Sequence, residues 1–211
     1  MKSLDYGKKY QDSVNSSIGN ENVWVRSARL WQFRDLEPGD HSKRIIDYGC
    51  GYGYRIAGLP NAEGYDVSDE AVKQSRQRGI RASTELPKPG WDICVIAHVL
   101  EHTPEPLPVL KTIFRNLRPG GKAIVILPID FYLSVDPEDK HQHLYCWNLQ
   151  SIKNLMEVAG FVNVKAEKVV IPAGRRLLGF LPDSLLFPIA TSIGRILRTY
   201  EIRAIGYSQI K

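Results

Sequence analysis

The sequence predicts an α/β fold in which a doubly wound, mostly parallel sheet carries helices on both faces. Short apolar, strand-like runs alternate along the chain with segments of helical periodicity. One of those runs, Ile45-Ile46-Asp47-Tyr48, feeds into a turn with three closely spaced glycines, Gly49, Gly51 and Gly53. A second carboxylate, Asp66, follows Asp47 by 19 residues at the end of the next short segment, a spacing that suits the ends of successive parallel strands.

Strands are expected at Arg44 to Tyr48, Glu63 to Asp66, Ile93 to Ala97 and Lys122 to Leu127. Between them, Glu70 to Gly79 reads as a helix with Ser68 as N-cap and Gly79 as its end. Pro106 to Leu117 reads as another, stopped by Arg118-Pro119-Gly120-Gly121, where proline cannot continue a helix and glycine supplies a left-handed turn. A third helix is expected over Asn148 to Ala159: Leu149, Ile152, Leu155, Met156 and Ala159 recur at helical spacing, Asn148 caps the start and Gly160 closes it. Phe161 to Ile171 and Glu201 to Ile210 read as two further strands. Residues 172–199 would then be an insertion between them. At 211 residues and 43% hydrophobic content the chain can bury a full core, and one domain is the default.

Glycines in the turn after the first strand let backbone N–H groups approach a ligand and tolerate positive φ. Two cofactor classes use this layout. The dinucleotide fingerprint GxGxxG needs a third glycine for helix–strand packing, but Tyr54 stands there. Asp47, two residues before Gly49, would repel a pyrophosphate and attract a cation. Asp66 is placed to accept hydrogen bonds from both hydroxyls of a ribose. The implied ligand has a positive head, a ribose and no phosphate, a description that S-adenosylmethionine meets.

The segments IIDYGCGYG, GYDVS, WDICVIAHVLEH and LRPGGKAIVILP, in that order, resemble the successive motifs of class I S-adenosylmethionine-dependent methyltransferases, nearest the type-11/type-12 small-molecule group. The resemblance covers residues 43 to 171. It implies a Rossmann-like, mostly parallel seven-stranded sheet with an antiparallel last strand. It also implies that Asp47, Tyr48, Gly49, Cys50, Gly51 and Gly53 hold the methionine portion, that Asp66 holds the ribose and that Val67 packs on adenine. Ala97 and His98 would lie against the methionine moiety. One departure is Ala82, where the family commonly has an acid for the adenine amine; Ser83, a backbone carbonyl or Glu85 would have to substitute. The expected division is a cap over residues 1–42, a cofactor core over 43–171, an insertion or lid over 172–199 and the last strand over 200–211. Tyr6, Tyr10 and Trp24 are aromatic candidates for the cap.

Methyl transfer from a sulfonium is a direct displacement, so holding nucleophile, carbon and sulfur in line supplies much of the rate. A base helps where the acceptor is a hydroxyl or a protonated amine, and histidine suits that role near neutral pH. His143, His141 and His102 are the candidates. His102 ends Leu100-Glu101-His102, beyond a strand's carboxyl end, where ligands bind in open α/β sheets. Its alternative is bracing the loop. His141 and His143 belong to the long loop Pro128 to Tyr145, as do Asp130, Asp136, Glu138 and Asp139. Carboxylates with two histidines can bind a divalent ion. However, His141 and His143 share a face only in an extended loop, the carboxylates are as readily solvated, and no metal is expected.

The chain lacks an Asn/Asp-Pro-Pro-aromatic run and a Pro-Cys pair, features of nucleic-acid methyltransferases, so no nucleic-acid partner is expected. A small-molecule acceptor is expected instead: a sugar, a lipid-linked saccharide or another biosynthetic intermediate, O- or N-methylated. The rival readings are an S-adenosylmethionine-binding protein without catalysis and an NAD-dependent oxidoreductase. The net charge is +5, and residues 172–211 carry six basic against two acidic side chains. There Leu186, Ile189, Ala190, Ile193, Ile196 and Leu197 are expected on one helical face, opposite Thr191, Ser192, Arg195 and Arg198. Self-packing, an acceptor lid, or peripheral membrane contact through residues 175–198 are the options. Cys50, Cys94 and Cys146 form no CxxC pair, no run approaches ~18 apolar residues, and the start MKSLDYGKKYQDS lacks a signal-like apolar core. A cytoplasmic location is expected. Oligomeric state is not legible.

Overall fold

A computed structural model describes residues 21–130, 141–174 and 181–209, with side chains from residue 28 onward. Among the described residues, twelve α-helices and strands build the fold. In chain order they are α1 (Glu21–Asp35), β1 (Ile45–Tyr48), β2 (Ala62–Tyr65), α2 (Asp69–Gln77), β3 (Ala82–Ser83), β4 (Trp91–Ala97), α3 (Pro106–Asn116), β5 (Leu117–Pro128), α4 (Leu149–Ala159), β6 (Val162–Val170), α5 (Asp183–Ile196) and β7 (Tyr200–Tyr207). The strands form one seven-stranded sheet in the order β3-β2-β1-β4-β5-β7-β6. β1 to β5 run parallel, whereas β7 is antiparallel to both its neighbours. This is the Rossmann-like arrangement expected.

Central strands covered on both faces read as continuous apolar runs, and β4 and β5 do: Ile93, Cys94, Ile96 and Ala123 through Leu127 are fully buried. One layer of core joins Ile46, Cys94 and Val125 to Leu110 and Ile113 of α3 and Ile152 and Met156 of α4. The other face buries Ile45, Ile93, Val95 and Ile126 with Ile56.

Local capping chemistry sets the helix starts. Ser68 Oγ accepts from Ala71 N at 3.3 Å, and Asn148 Oδ1 accepts from Ser151 N at 2.9 Å while Ser151 Oγ accepts from Asn148 N at 3.1 Å, a reciprocal capping box. Gly160, at φ +111, ends α4.

Four expectations are corrected. β5 begins at Leu117, not Lys122: Leu117 pairs with Trp91, and the Pro119-Gly120 segment read as a simple stop is an irregularity before Lys122 pairs with Ile93. Gly120 does adopt the left-handed conformation there, at φ +73. The last strand closes at Tyr207 rather than Ile210 because its pairing with β5 ends at Lys122. A two-residue strand, Ala82–Ser83, extends the sheet edge beyond β2.

The buried face of α5 is Leu186, Phe187, Ala190 and Gly194, whereas Ile189, Ile196 and Leu197 are exposed. The helix presses so closely on the end of β6 that a Cβ at Gly194 would sit 2.3 Å from Ile171 O. That contact selects the face, and apolar periodicity alone does not reveal it. Among the described residues no helix is long and apolar enough to cross a membrane. Tyr6, Tyr10, the Trp24 side chain, Asp136, Glu138, Asp139, Arg175 and Arg176 lie outside the described residues.

Candidate active site

The carboxyl ends of β1, β2 and β4 bring together much of the expected set. Asp47, at the end of β1, is flanked across the sheet by Gly64 and Val95 and is 1% exposed. Among the described residues its Oδ2 has no hydrogen-bond partner. Burial, with the nearby Asp66 acting in the same sense against the cation of Arg55, pushes its carboxyl up to about 7. A buried carboxylate with an unused oxygen is costly unless a donor or cation meets it.

The glycine turn is tied down on both sides. Gly49 N and Cys50 N both donate to Tyr65 O, at 2.7 and 2.9 Å, and Tyr48 packs on Tyr65 with ring centroids 4.8 Å apart. Gly49, Gly51 and Gly53 all take positive φ. At Gly49 a Cβ would stand 2.2 Å from Val99 Cγ2, so both conformation and space call for glycine. The Cys50 thiol is buried beneath Gly64. Ser75 Oγ, reaching from α2, donates to Gly51 O at 2.8 Å.

Asp66 organises the same turn. Its Oδ2 accepts from Gly51 N at 2.8 Å and its Oδ1 from Ser68 N at 2.9 Å. Burial nevertheless raises its pKa against these two bonds. Each carboxylate oxygen retains lone-pair capacity for a further donor. Val67 beside it is 67% exposed, an apolar surface at the sheet edge of the kind an aromatic base covers. Ser83 Oγ accepts from Glu85 N at 3.0 Å. An open concavity along β2 and β3, lined by Gly64, Arg81 and Ala82, meets this set only at Ser83.

Ala97 ends β4, and the chain then turns sharply at His98, whose φ of +55 is unusual for a residue with a Cβ. The His98 ring lies between two buried carboxylates, with Nδ1 3.3 Å from Glu101 and Nε2 3.2 Å from Glu201. The side chain itself is 39% exposed; desolvation where it meets the protein would lower its pKa, but the two carboxylates raise it to about 9. Glu201 also meets Arg34 at 2.5 Å, and the guanidinium groups of Arg34 and Arg55 each lie over the Trp31 ring, 4.1 and 4.4 Å from its centroid. The sequence reading missed Glu201, Arg34, Arg55 and Trp31. No local motif marks them, because the contacts that bring Glu201 to Arg34 and Arg55 to Trp31 join segments far apart in the chain.

The three candidate histidines meet. His102, in the turn Leu100–His102, and His143 have ring centroids 4.9 Å apart, and those of His141 and His143 are 5.5 Å apart. His143 Nδ1–H donates to Asp130 Oδ2 at 2.6 Å. Leu144 N donates to Glu101 O and Tyr145 OH to Pro104 O, each at 2.7 Å, so the 141–145 segment is pinned over the turn after β4. His102 is held below its ordinary pKa, chiefly by burial, and is neutral near pH 7.

A sulfonium cofactor with an ammonium group and a ribose suits this donor set. Asp47 keeps an unpaired buried oxygen, Asp66 has spare acceptor capacity, and the Gly49 cradle would be filled by a Cβ.

The comparisons with known proteins agree. The profile of a family described as a methyltransferase domain matches residues 26–166, and the chain belongs to that family. It is a class I S-adenosylmethionine-dependent methyltransferase of the small-molecule type. The dinucleotide and non-catalytic readings give way to that assignment. Among relatives, a ubiquinone biosynthesis O-methyltransferase of Aeromonas salmonicida is 23% identical, over 65% of this chain and 71% of its own. A probable S-adenosylmethionine-dependent methyltransferase of Mycolicibacterium smegmatis is 28% identical, over 68% of this chain and 61% of its own. A Thermotoga maritima S-adenosylmethionine-dependent methyltransferase, a possible histamine N-methyltransferase, shares the fold at TM-score 0.64 and 17% identity, covering 95% of this chain and 98% of that one. A Haloferax volcanii putative methyltransferase complex with the Trm112 activator matches at TM-score 0.60 and 18% identity, covering 95% of this chain and 94% of the other.

Proposed function

We propose that the protein methylates an oxygen of a small-molecule biosynthetic intermediate. S-adenosylmethionine, when bound, supplies the methyl group on a sulfonium primed for displacement. Asp47, with Tyr48, Gly49, Cys50, Gly51 and Gly53, takes the methionine portion; Asp66 takes the ribose hydroxyls; Val67 and Ser83 border the adenine. Ala97 and His98 lie beside the methionine moiety. The observation that carries this reading is the pair of buried carboxylates at adjacent strand ends, one with an unpaired oxygen, within a chain of this family.

Oxygen as the acceptor atom is supported by the relatives named as O-methyltransferases. His102, His141 and His143 then form the acceptor side, with exposed His141 as the group that takes the acceptor's proton. The test is release of S-adenosylhomocysteine with a panel of phenolic, saccharide and lipid-linked alcohols, each product identified by mass spectrometry. A product methylated on oxygen and a loss of turnover in His141→Ala support the reading. Methylation on nitrogen alone, or full turnover in His141→Ala, overturns the corresponding part.

A lipid-linked acceptor has its own support. Leu185, Ile189 and Ile196 are exposed on the outward side of α5, and Arg195 and Arg198 beside them suit an anionic surface. Absence of binding to anionic vesicles at low salt would remove this option. A cytoplasmic location belongs to the same proposal, supported by the free Cys50, Cys94 and Cys146.

A further inference from the structure

Glu101, His102 and His143 place one ligand atom each within 4.8 Å of one another. These residues come from two segments, the turn after β4 and the stretch before α4, held together by the Leu144 N to Glu101 O bond. We propose that they form a binding site for a divalent transition-metal ion, with Zn2+ the best fit. The inference rests on the functional reading above, because the site sits on its acceptor side.

Several independent features point to a cation. Glu101 is fully buried, and among the described residues its Oε2 has no hydrogen-bond partner; His98 approaches the carboxylate at Oε1. The His98 cation that meets Oε1 is shared with Glu201, and a buried carboxylate oxygen left without a donor or cation is costly. His143 presents its Nδ1–H to Asp130, which leaves Nε2 as the ligand atom and fixes the ring. A carboxylate on the far nitrogen is the usual support of a metal-bound histidine.

The ligand set also selects the ion. Two imidazoles and one carboxylate make the open three-ligand arrangement of catalytic zinc sites, with room for a further oxygen, whereas Mg2+ favours oxygen ligands. Ligands about 2.0–2.2 Å from Zn2+ stand roughly 3–4 Å from each other, so the separations here need a closure of about 1 Å. The open position would hold the acceptor oxygen, and a coordinated hydroxyl loses its proton more readily. His141, with its ring centroid 5.5 Å from that of His143, is placed to take that proton.

The sequence pointed elsewhere. It paired His141 with His143 and expected no metal, whereas the fold takes one histidine from that loop and joins it to Glu101 and His102.

The test is calorimetric titration of metal-stripped protein with ZnCl2, and with CoCl2 followed by visible absorption. The expected result is one equivalent bound at micromolar affinity or tighter, with Co2+ bands of a low-coordinate N/O site. Glu101→Gln and His143→Ala should each weaken Zn2+ at least 10-fold, and Asp130→Asn about 10-fold. S-adenosylhomocysteine binding by each variant reports folding. No Zn2+ or Co2+ binding at millimolar metal by wild-type protein, or unchanged affinity in a folded His143→Ala variant, overturns the site. Loss of S-adenosylhomocysteine binding by the wild type would instead overturn the functional reading.

Discussion

Asp47→Asn should make the cofactor-free protein more stable while weakening its cofactor. The Asp47 carboxyl rises from 3.8 to about 7 on folding, chiefly because it is buried. Between those two values the folded protein retains a proton that the unfolded chain has released. Below about pH 3.8 both states are neutral and no penalty exists; the penalty builds as pH rises from 3.8 and is complete above about 7. At about 1.4 kcal/mol per pKa unit, the penalty above pH 7 has a ceiling of about 4 kcal/mol. Asparagine removes the charge but brings an amide whose unmet hydrogen bonds cost roughly 1–3 kcal/mol. The net gain is therefore about 1–3 kcal/mol, or roughly 3–10 °C in Tm for a chain of this size.

Scanning calorimetry of both cofactor-free proteins at pH 8 reads the stability, and titration with S-adenosylhomocysteine reads the affinity. Wild-type affinity should fall about tenfold between pH 8 and pH 6, because the carboxylate must release its proton to meet the ligand's ammonium. The variant should bind at least tenfold more weakly at pH 8 and show no such slope. A lower Tm for the variant together with wild-type affinity would refute the reasoning.

Asp66→Ala frees Gly51 N and Ser68 N at once; a stability loss of about 1–3 kcal/mol by urea titration and a cofactor affinity at least tenfold weaker are expected. Gly49→Ala meets both a φ of +80 and Val99 at 2.2 Å, so it should destabilise by about 2 kcal/mol or more, and adding Val99→Ala should restore only part because the backbone strain persists. Asp40, buried and 2.6 Å from Lys122, offers a control remote from the glycine turn. Burial raises its pKa but the Lys122 and Lys43 bonds outweigh this and hold it below 3.8; its stabilisation is complete above that value and is lost as pH falls through the lower folded pKa. Asp40→Asn should cost about 3–5 kcal/mol and flatten the acid limb of a stability–pH profile.

What the sequence discloses is mostly local. Ser68, Asn148 and Gly160 act on backbone within four residues, so their caps were readable, as was a glycine turn between an apolar strand and a carboxylate. Asp47 and Asp66 were legible because parallel strands separated by a short connection put their ends side by side. The irregular opening of β5 was not, since Pro119-Gly120 reads as a stop in any isolated window and only the pairing of Leu117 with Trp91 makes it part of the sheet. The outward stripe of α5 was misread because that helix is apolar on two sides, and the close approach of Gly194 to Ile171 decides which is buried. His98 was located but its distant partner was not: Glu201 is 103 residues away, and only the antiparallel return of β7 beside β5 brings it there. The joining of Glu101 and His102 to His143 has the same origin, a contact between two loops at one sheet edge.

A crystal structure of the complex with S-adenosylhomocysteine tests the central claim most directly. The ribose hydroxyls should lie within hydrogen-bond distance of Asp66 and the amino group within reach of the unpaired Asp47 oxygen, with adenine over Val67. A ligand bound away from the ends of β1 and β2, or one that leaves both carboxylates untouched, would contradict the account.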